Sequence, residues 1–135
     1  MDEYLRNYFI ALVVLVPIDF LWFGVLMKGT YLAELSSLAR MKDGKFAPNL
    51  IAGVFAWALI PLGIVLFAVP NLSPGGSIIE ALKWGALLGL CSYGMYDMTN
   101  LSTLRGYSLK LAVVDTVWGA CLTAFVTTVV WLIAK

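Results

Sequence analysis

The chain contains no histidine, and only 13% of its 135 residues are charged. Without histidine it lacks the commonest general base and the commonest ligand of transition metals. A soluble domain carries about 25% charged residues, so these few charges could not cover a water-soluble globule of this size. The formal net charge of +1 also provides no basic patch for nucleic acid. The composition therefore disfavours soluble proteins, histidine-dependent enzymes and nucleic-acid-binding proteins.

Cysteine is also scarce, and no secretory signal is evident. Cys91 and Cys121 lie inside apolar stretches and match no metal-binding spacing, which is typical of small packing residues. We therefore predict no disulfide, no metal site and no cofactor. The first apolar stretch exceeds the roughly 7–15 residues of a signal core and lacks a small-residue cleavage site. It is predicted to be a retained helix.

Apolar residues, in contrast, make up 61% of the chain, with a mean hydropathy of +0.91. Crossing a bilayer as a helix takes about 20 mostly apolar residues. Four segments qualify, at about residues 4–27, 50–69, 77–98 and 108–134. The sequence thus predicts an all-α protein with a single domain over residues 1–135, folded as a bundle of four transmembrane helices.

The first loop has a mixed character. Between Thr30 and Met41, three leucines recur at helical spacing while Glu34 and Arg40 fall elsewhere on the helical wheel. This pattern fits a short amphipathic helix lying in the membrane interface, and it fits an ordinary polar loop equally well. The residues from Met41 to Lys45 are typical of an exposed turn.

The distribution of basic residues predicts the orientation. With four spans, both termini and the second loop share one side of the membrane. That side holds three basic residues and the opposite side holds six: Arg6, Lys83 and Lys135 against Lys28, Arg40, Lys42, Lys45, Arg105 and Lys110. The first and third loops are therefore predicted in the cytoplasm, with both termini outside it.

Three aspartates, Asp19, Asp97 and Asp115, lie in or beside the apolar spans. A carboxylate in the membrane core is costly unless it is neutral, paired or hydrated, so such residues are functional candidates. At ~1.5 Å per residue, Asp19 and Asp115 lie roughly 10–12 Å below the same membrane face, and Asp97 lies nearer to that face. We expect all three to converge on one cavity that opens toward the cytoplasm.

Asp19 and Asp115 share a local pattern, because each is followed three residues later by a tryptophan, Trp22 or Trp118. Residues three apart lie on one face of a helix, so each indole can wall a pocket beside its carboxylate. The alternative is that the tryptophans anchor the helices at the membrane interface. The repetition is either the trace of an inverted repeat or a chance recurrence.

The third predicted helix combines a packing face with polar groups. Ala81, Gly85 and Gly89 are spaced by four, a pattern of small residues that lets helix backbones approach closely. Further along the same helix, Tyr93 and Tyr96 either offer hydroxyls to a site or sit in the membrane interface.

Asp97 lies near the end of the third helix, where the helix dipole disfavours a carboxylate, so it needs a partner. Arg105 is the nearest candidate, and Asn100 is a further polar contributor from the same region. The alternative is a capping network that only holds the third loop in place.

The run Tyr93-Gly94-Met95-Tyr96-Asp97-Met98-Thr99-Asn100-Leu101-Ser102-Thr103-Leu104, followed by Val114-Asp115-Thr116-Val117-Trp118-Gly119, resembles a bacterial family of predicted membrane proteins. Asp19 and Trp22 also fit the pattern, and the resemblance covers essentially the whole chain. That family is known only as a domain of unknown function. The resemblance implies a small four-helix protein of the bacterial inner membrane and implies no activity.

Three functions remain open. The carboxylates and aromatic residues suit a protein that binds or transports a small molecule, cation or lipid. Paired carboxylates also suit a membrane enzyme acting on a lipid or isoprenoid, although the chain has no recognised catalytic motif and no assignable catalytic residue. The third function is a structural or partner-binding subunit. Four helices leave little room for an enclosed pathway, which is compatible with a homodimer.

Overall fold

The computed structural model describes residues 2–134, and these are almost entirely helical. The elements, in chain order, are α1 (Glu3–Leu21, continued by a π-helical turn at Trp22–Leu26), α2 (Lys28–Leu35, followed by a 3-10 turn at Ser36–Leu38), β1 (Met41–Lys42), β2 (Lys45–Phe46), α3 (Leu50–Gly63, continued by a π-helical turn at Ile64–Ala68 and a 3-10 turn at Val69–Asn71), α4 (Ile78–Thr103) and α5 (Leu109–Ala134).

Three helices within the described residues are long and apolar enough to cross a membrane: Glu3–Leu26, Leu50–Asn71 and Leu109–Ala134. Helix α4 is as long as α5, with 26 residues each. It is less apolar because it carries Glu80, Lys83 and Asp97. The all-helical membrane protein expected from the sequence is confirmed, with three candidate spans rather than four among the described residues.

Helix α5 lies at the centre of the bundle. In its most apolar stretch, 44% of the residues are buried, compared with 17% in α1 and in α3. On its inner side, Leu122, Val126 and Val130 form the main core together with residues of α1 and α3. A residue on α5 can therefore reach side chains of every other long helix.

Helices α4 and α5 pack closely along the small residues of α4. Ala81, Gly85 and Gly89 are buried, as their spacing predicts. A β-carbon added at Gly85 would lie 2.6 Å from the Cα of Ala124, so only glycine fits there. The hydroxyl of Thr123 donates across this seam to the Gly85 carbonyl at 2.7 Å. The two backbones are thus held in direct contact.

Helix α1 packs through residues spaced by four, of which Asn7, Ala11, Leu15 and Asp19 are all buried. A spacing of four keeps side chains on nearly one face, so this row forms a single stripe facing the bundle. The stripe is apolar in its middle and ends in polar groups at both ends. Asp19 is therefore carried into the protein interior by the same face that forms the core.

The first loop folds into two separate elements. Helix α2 covers Lys28–Leu35, an earlier and shorter range than the predicted Thr30–Met41. The hairpin β1–β2 replaces the predicted simple turn and pairs Met41 with Phe46. Its tip at Asp43 and Gly44 has φ angles of 52° and 73°, which two-residue hairpin turns require.

The third loop is shorter than the hydropathy pattern indicates. Helix α4 continues to Thr103 rather than ending near residue 98. Its last residues are polar, but the backbone hydrogen bonds continue, and the Thr103 hydroxyl donates to the Thr99 carbonyl at 2.8 Å. The chain turns at Gly106, whose φ is 81°. Hydropathy marks where apolar residues stop, whereas the helix ends at the turn.

Candidate functional site

The three aspartates lie at one level of the bundle. Asp19 is seven residues before the end of its helix at Leu26, Asp115 is six residues after Leu109, and Asp97 is six residues before Thr103. At 1.5 Å per residue, each is roughly 9–11 Å from the same end of the bundle. Their exposed fractions are 3%, 0% and 6% for Asp19, Asp97 and Asp115.

Two indole N–H groups hold the carboxylate of Asp19. The Nε1 of Trp57 donates to Oδ2 at 2.8 Å, and the Nε1 of Trp118 donates to Oδ1 at 2.9 Å. These donors come from α3 and α5, so Asp19 joins three helices. Because neither donor carries a charge, they leave the negative charge of an ionised Asp19 uncompensated.

Trp22 and Trp118 stack face to face, with ring centroids 4.0 Å apart and planes inclined by 1°. The Nε1 of Trp22 donates to the hydroxyl of Tyr31 at 3.2 Å. The two stacked indoles therefore connect the end of α1 to α5, and the Tyr31 contact connects the same end to α2. The hydrogen bonds differ from the expected pairing of each indole with the carboxylate three residues before it, since Trp118 donates to Asp19 and Trp22 donates to Tyr31.

Asp97 and Asp115 are neighbours across the contact between α4 and α5, because Thr116, the residue after Asp115, donates to Asp97. The Tyr31 hydroxyl donates to Oδ1 of Asp115 at 2.7 Å. Asp97 accepts from the Tyr107 hydroxyl at 2.7 Å and from the Thr116 hydroxyl at 3.2 Å. The pair is thus held by hydroxyl groups from the first loop, the third loop and α5.

Asp19 stands apart from this pair, since none of its hydrogen-bond partners among the described residues also bonds Asp97 or Asp115. Within residues 2–134, no group of three or more His, Cys, Asp or Glu side chains is arranged to hold a metal ion. A groove of about 450 Å³ between α1 and α3 touches the polar network only through Trp57. The three aspartates were expected to converge on one cavity. They lie at one level of the bundle but form two separate groups, Asp19 and the pair of Asp97 and Asp115.

Among the described side chains, none of the three aspartates has a basic partner. The structure does not bring Arg105 to Asp97; Arg105 is exposed, and hydroxyl groups take the place expected for it. The ion pair formed within residues 2–134 joins Lys110 to Glu34, at 3.3 Å. Within this part of the chain, the three aspartates are consequently hydrogen-bonded but not paired with a basic side chain.

Helix α2 covers the loop side of the site. Besides the Tyr31 contact, Glu34 accepts a hydrogen bond from Ser108 at 2.5 Å and pairs with Lys110. The Ser108 hydrogen bond, followed by Lys110, lowers the pKa of Glu34 below its usual range. An apolar cluster completes the cover. Its buried members are Tyr31, Tyr107, Leu111 and Ala112, and the partly buried residues packed against them are Trp22, Phe23, Met27, Leu35 and Leu101.

The two tyrosines that enter from the loops are set to act as donors. Burial raises the pKa of Tyr31 above its usual range, and burial with the neighbouring Asp97 does the same for Tyr107. Both hydroxyls therefore keep their protons at neutral pH. Each donates its proton to one member of the carboxyl pair.

The remaining predicted residues lie around this pair. Tyr93 packs its ring against Gly119, where no β-carbon would fit, and it lies within electrostatic reach of all three aspartates. Among the described residues its hydroxyl has no hydrogen-bond partner. Tyr96 is 58% exposed, and Asn100 lies one turn after it on the same helix. Tyr93 is thus central, whereas Tyr96 and Asn100 are peripheral.

Sequence reasoning missed four residues of the network: Tyr31, Trp57, Tyr107 and Thr116. The depth rule used for the aspartates would find Trp57, which is seven residues into α3 and therefore level with Asp19. Thr116 directly follows Asp115, so its place on the site is also readable. The two tyrosines lie outside the long helices, and nothing in their local sequence distinguishes them from interfacial aromatic residues.

The comparison with known proteins covers nearly the whole chain but brings no activity with it. No curated protein and no solved structure matches the chain. A family described as "Predicted membrane protein (DUF2177)", a domain of unknown function, matches residues 4–132. Since the match covers nearly all of the chain and includes all three aspartates, the chain belongs to this family of predicted membrane proteins.

Proposed function

We propose that the protein is a four-span protein of the bacterial inner membrane that binds a small cation or protonated amine at Asp97 and Asp115, in exchange for protons. The observation that carries this proposal is the adjoining carboxyl pair, buried and without a basic partner among the described residues. Two ionised carboxyl groups side by side repel each other, and a shared proton or a bound cation relieves that repulsion. The same site can therefore hold either a shared proton or a bound cation.

The surroundings of the pair suit a ligand of this class. The Tyr93 hydroxyl is available to accept a hydrogen bond from an ammonium group, since no described residue occupies it. The Trp22 indole donates to the Tyr31 hydroxyl, which in turn donates to Asp115, and the face of an indole attracts cations. The Tyr31 hydroxyl donates a hydrogen bond to Oδ1 of Asp115. A ligand that donates to the same oxygen would replace the Tyr31 hydroxyl.

The fourth span of the proposal is α4. At 1.5 Å per residue its 26 residues extend for roughly 39 Å, enough to cross a hydrocarbon core of about 30 Å. Helix α4 contacts α5 from Gly85 and Gly89 at one end to the hydrogen bond between Asp97 and Thr116 at the other. It therefore runs along a helix that is itself a candidate span. The excess of basic residues in the first and third loops then places the carboxyl pair nearer the cytoplasm.

The test is proton release on cation binding. Purified protein in weakly buffered detergent is mixed with methylammonium or with sodium, and a pH-sensitive dye reports released protons. We expect release from the wild type, loss of release in the Asp97→Asn, Asp115→Asn variant, and retention in Glu80→Gln, which removes a carboxylate at the other end of α4. Absence of release from folded wild type with both probes would contradict the proposal.

A structural role is the second candidate, and the hydrogen bonding of the carboxylates favours it. Both oxygens of Asp19, both of Asp97 and one of Asp115 accept hydrogen bonds from other parts of the chain. In this case the aspartates orient the helices and bind nothing. The double variant would then lower the midpoint of unfolding in sodium dodecyl sulfate, with no proton release from the wild type.

A further inference from the structure

The hairpin β1–β2 in the first loop is amphipathic. Met41 pairs with Phe46, and Lys42 pairs with Lys45. Paired residues share one face of a hairpin, and successive residues point to opposite faces. The ladder continues by one pair, because the Ala47 amide donates to the Arg40 carbonyl at 2.8 Å. One face thus carries Arg40, Lys42 and Lys45, and the other carries Met41 and Phe46.

Neither face of the hairpin is covered by the rest of the described chain. Met41 is 51% exposed and Phe46 is 39% exposed. The three basic residues are exposed as well, and within residues 2–134 none of them forms an ion pair. Like charges directly opposite each other destabilise a strand pair, so an anion bound beside Lys42 and Lys45 would offset their repulsion.

The position of the hairpin limits what can supply that anion. Phe46 is four residues before Leu50, where the candidate span α3 begins. A fully extended chain covers at most about 3.6 Å per residue, so Phe46 lies within roughly 14 Å of the start of that span. Leu50 and Ile51 are 74% and 73% exposed, as expected of side chains facing lipid. The hairpin is thus tethered at the membrane surface.

From these observations we infer that the β1–β2 hairpin is a docking surface for anionic phospholipid headgroups. Met41 and Phe46 enter the boundary between headgroups and acyl chains, and Arg40, Lys42 and Lys45 lie in the headgroup layer. Interfacial amphipathic segments bind membranes in this manner, with the apolar face buried roughly 5–10 Å. The surface is independent of the aspartate site and of any cation bound there.

The experiment measures the depth of a spin label on the hairpin. Because both native cysteines are exposed, Cys91→Ser and Cys121→Ser remove them, and Met41→Cys carries the label. The full chain is reconstituted in phosphatidylcholine vesicles with or without one third phosphatidylglycerol. Accessibility to oxygen reports immersion in lipid, and accessibility to a soluble nickel chelate reports exposure to water.

We expect the label to become more accessible to oxygen and less accessible to nickel when phosphatidylglycerol is present, and to reverse in high salt. Each lysine near an anionic surface shifts the bound-to-free ratio about fivefold, so Lys42→Gln with Lys45→Gln lowers it roughly 30-fold. The matched pair Lys28→Gln with Arg105→Gln removes two charges from the same predicted side and leaves the depth unchanged.

Equal label depth in both lipid compositions would overturn the inference. So would equal depth in the lysine variant and in the matched control. A label protected from both oxygen and nickel would assign the hairpin to a contact with a second copy of the chain, which also overturns it. If the lysine variant fails to fold, the salt and lipid dependence of the labelled chain with its lysines intact still decides the question.

Discussion

Replacing Gly89 with alanine should separate α4 from α5. A β-carbon at this position would overlap the Thr123 hydroxyl and the Gly119 carbonyl, and would lie 2.7 Å from the Cα of Ala120. Ordinary van der Waals contacts begin at about 3.4 Å, and two of these atoms belong to the α5 backbone, which cannot turn aside. The helices must therefore move apart by about 1 Å, which forfeits a quarter to a half of the dispersion energy at the contact.

The expected cost follows from that movement. Overfilling a packed interface destabilises a protein by about 1–3 kcal/mol. The hydrogen bond from Thr123 to the Gly85 carbonyl crosses the same seam, and interhelical hydrogen bonds in membranes contribute about 0.6 kcal/mol. Together these terms predict a loss of roughly 2–3 kcal/mol for Gly89→Ala. Asp97 lies two turns further along α4, so the carboxyl pair should loosen as well.

The assay is reversible unfolding of the purified protein in mixed micelles with increasing sodium dodecyl sulfate, followed by helical circular dichroism. Gly53→Ala is the matched control, because nothing lies within 4 Å of the β-carbon it adds. It should leave the free energy of unfolding unchanged or raise it by up to about 1 kcal/mol. If Gly89→Ala is as stable as the wild type, α4 and α5 do not approach each other closely enough at Gly89 to exclude a β-carbon.

Two further predictions concern the cover formed by α2. Tyr31→Phe removes the hydroxyl that donates to Asp115 and should lower the free energy of unfolding by about 1–2 kcal/mol in the same assay; Tyr4→Phe, at an exposed position, should not. The pKa of Glu34 is lowered from 4.5 by its partners at the start of α5. Its contribution to α2 docking is therefore complete above pH 4.5 and is lost as the pH falls through the lowered pKa of the docked state. Amide hydrogen exchange in α2, corrected for the intrinsic rate at each pH, should show this loss, and Glu34→Gln should abolish the pH dependence. Protection that does not change with pH in the wild type would contradict it.

The long helices could be predicted because hydropathy is averaged over about 20 residues and survives local exceptions such as Pro17 and Pro61. The level of Asp19 and Asp115 could be predicted for a related reason, since depth requires only a count of residues from a helix end. Asp97 lies deeper than predicted, because α4 continues to Thr103. Partners could not be predicted. Whether Asp97 contacts Arg105 or Tyr107 depends on how the third loop turns at Gly106, and no periodic pattern records that turn.

The first loop shows the same limit. Its leucine spacing predicts a helix somewhere between residues 30 and 41, but it does not indicate that Tyr31 reaches Asp115, which is 84 residues away in the chain. The hairpin at Met41–Phe46 follows from Asp43 and Gly44, a pair that favours a two-residue turn. The turn signal was therefore present in the sequence. The strands on either side have only two residues each, which is too short to show the alternating pattern that predicts a hairpin.

The central position of α5 has a consequence for how the chain enters the membrane during synthesis. Helix α1 emerges from the ribosome first, and its Asp19 must wait for Trp57 of α3 and then for Trp118 of α5 before both oxygens are bonded. Asp97 likewise meets Thr116 only when the last helix arrives. Until translation is almost finished, the nascent chain therefore carries carboxyl groups with only one of their two oxygens bonded, so a chain truncated before α5 would leave Asp19 and Asp97 partly unsatisfied.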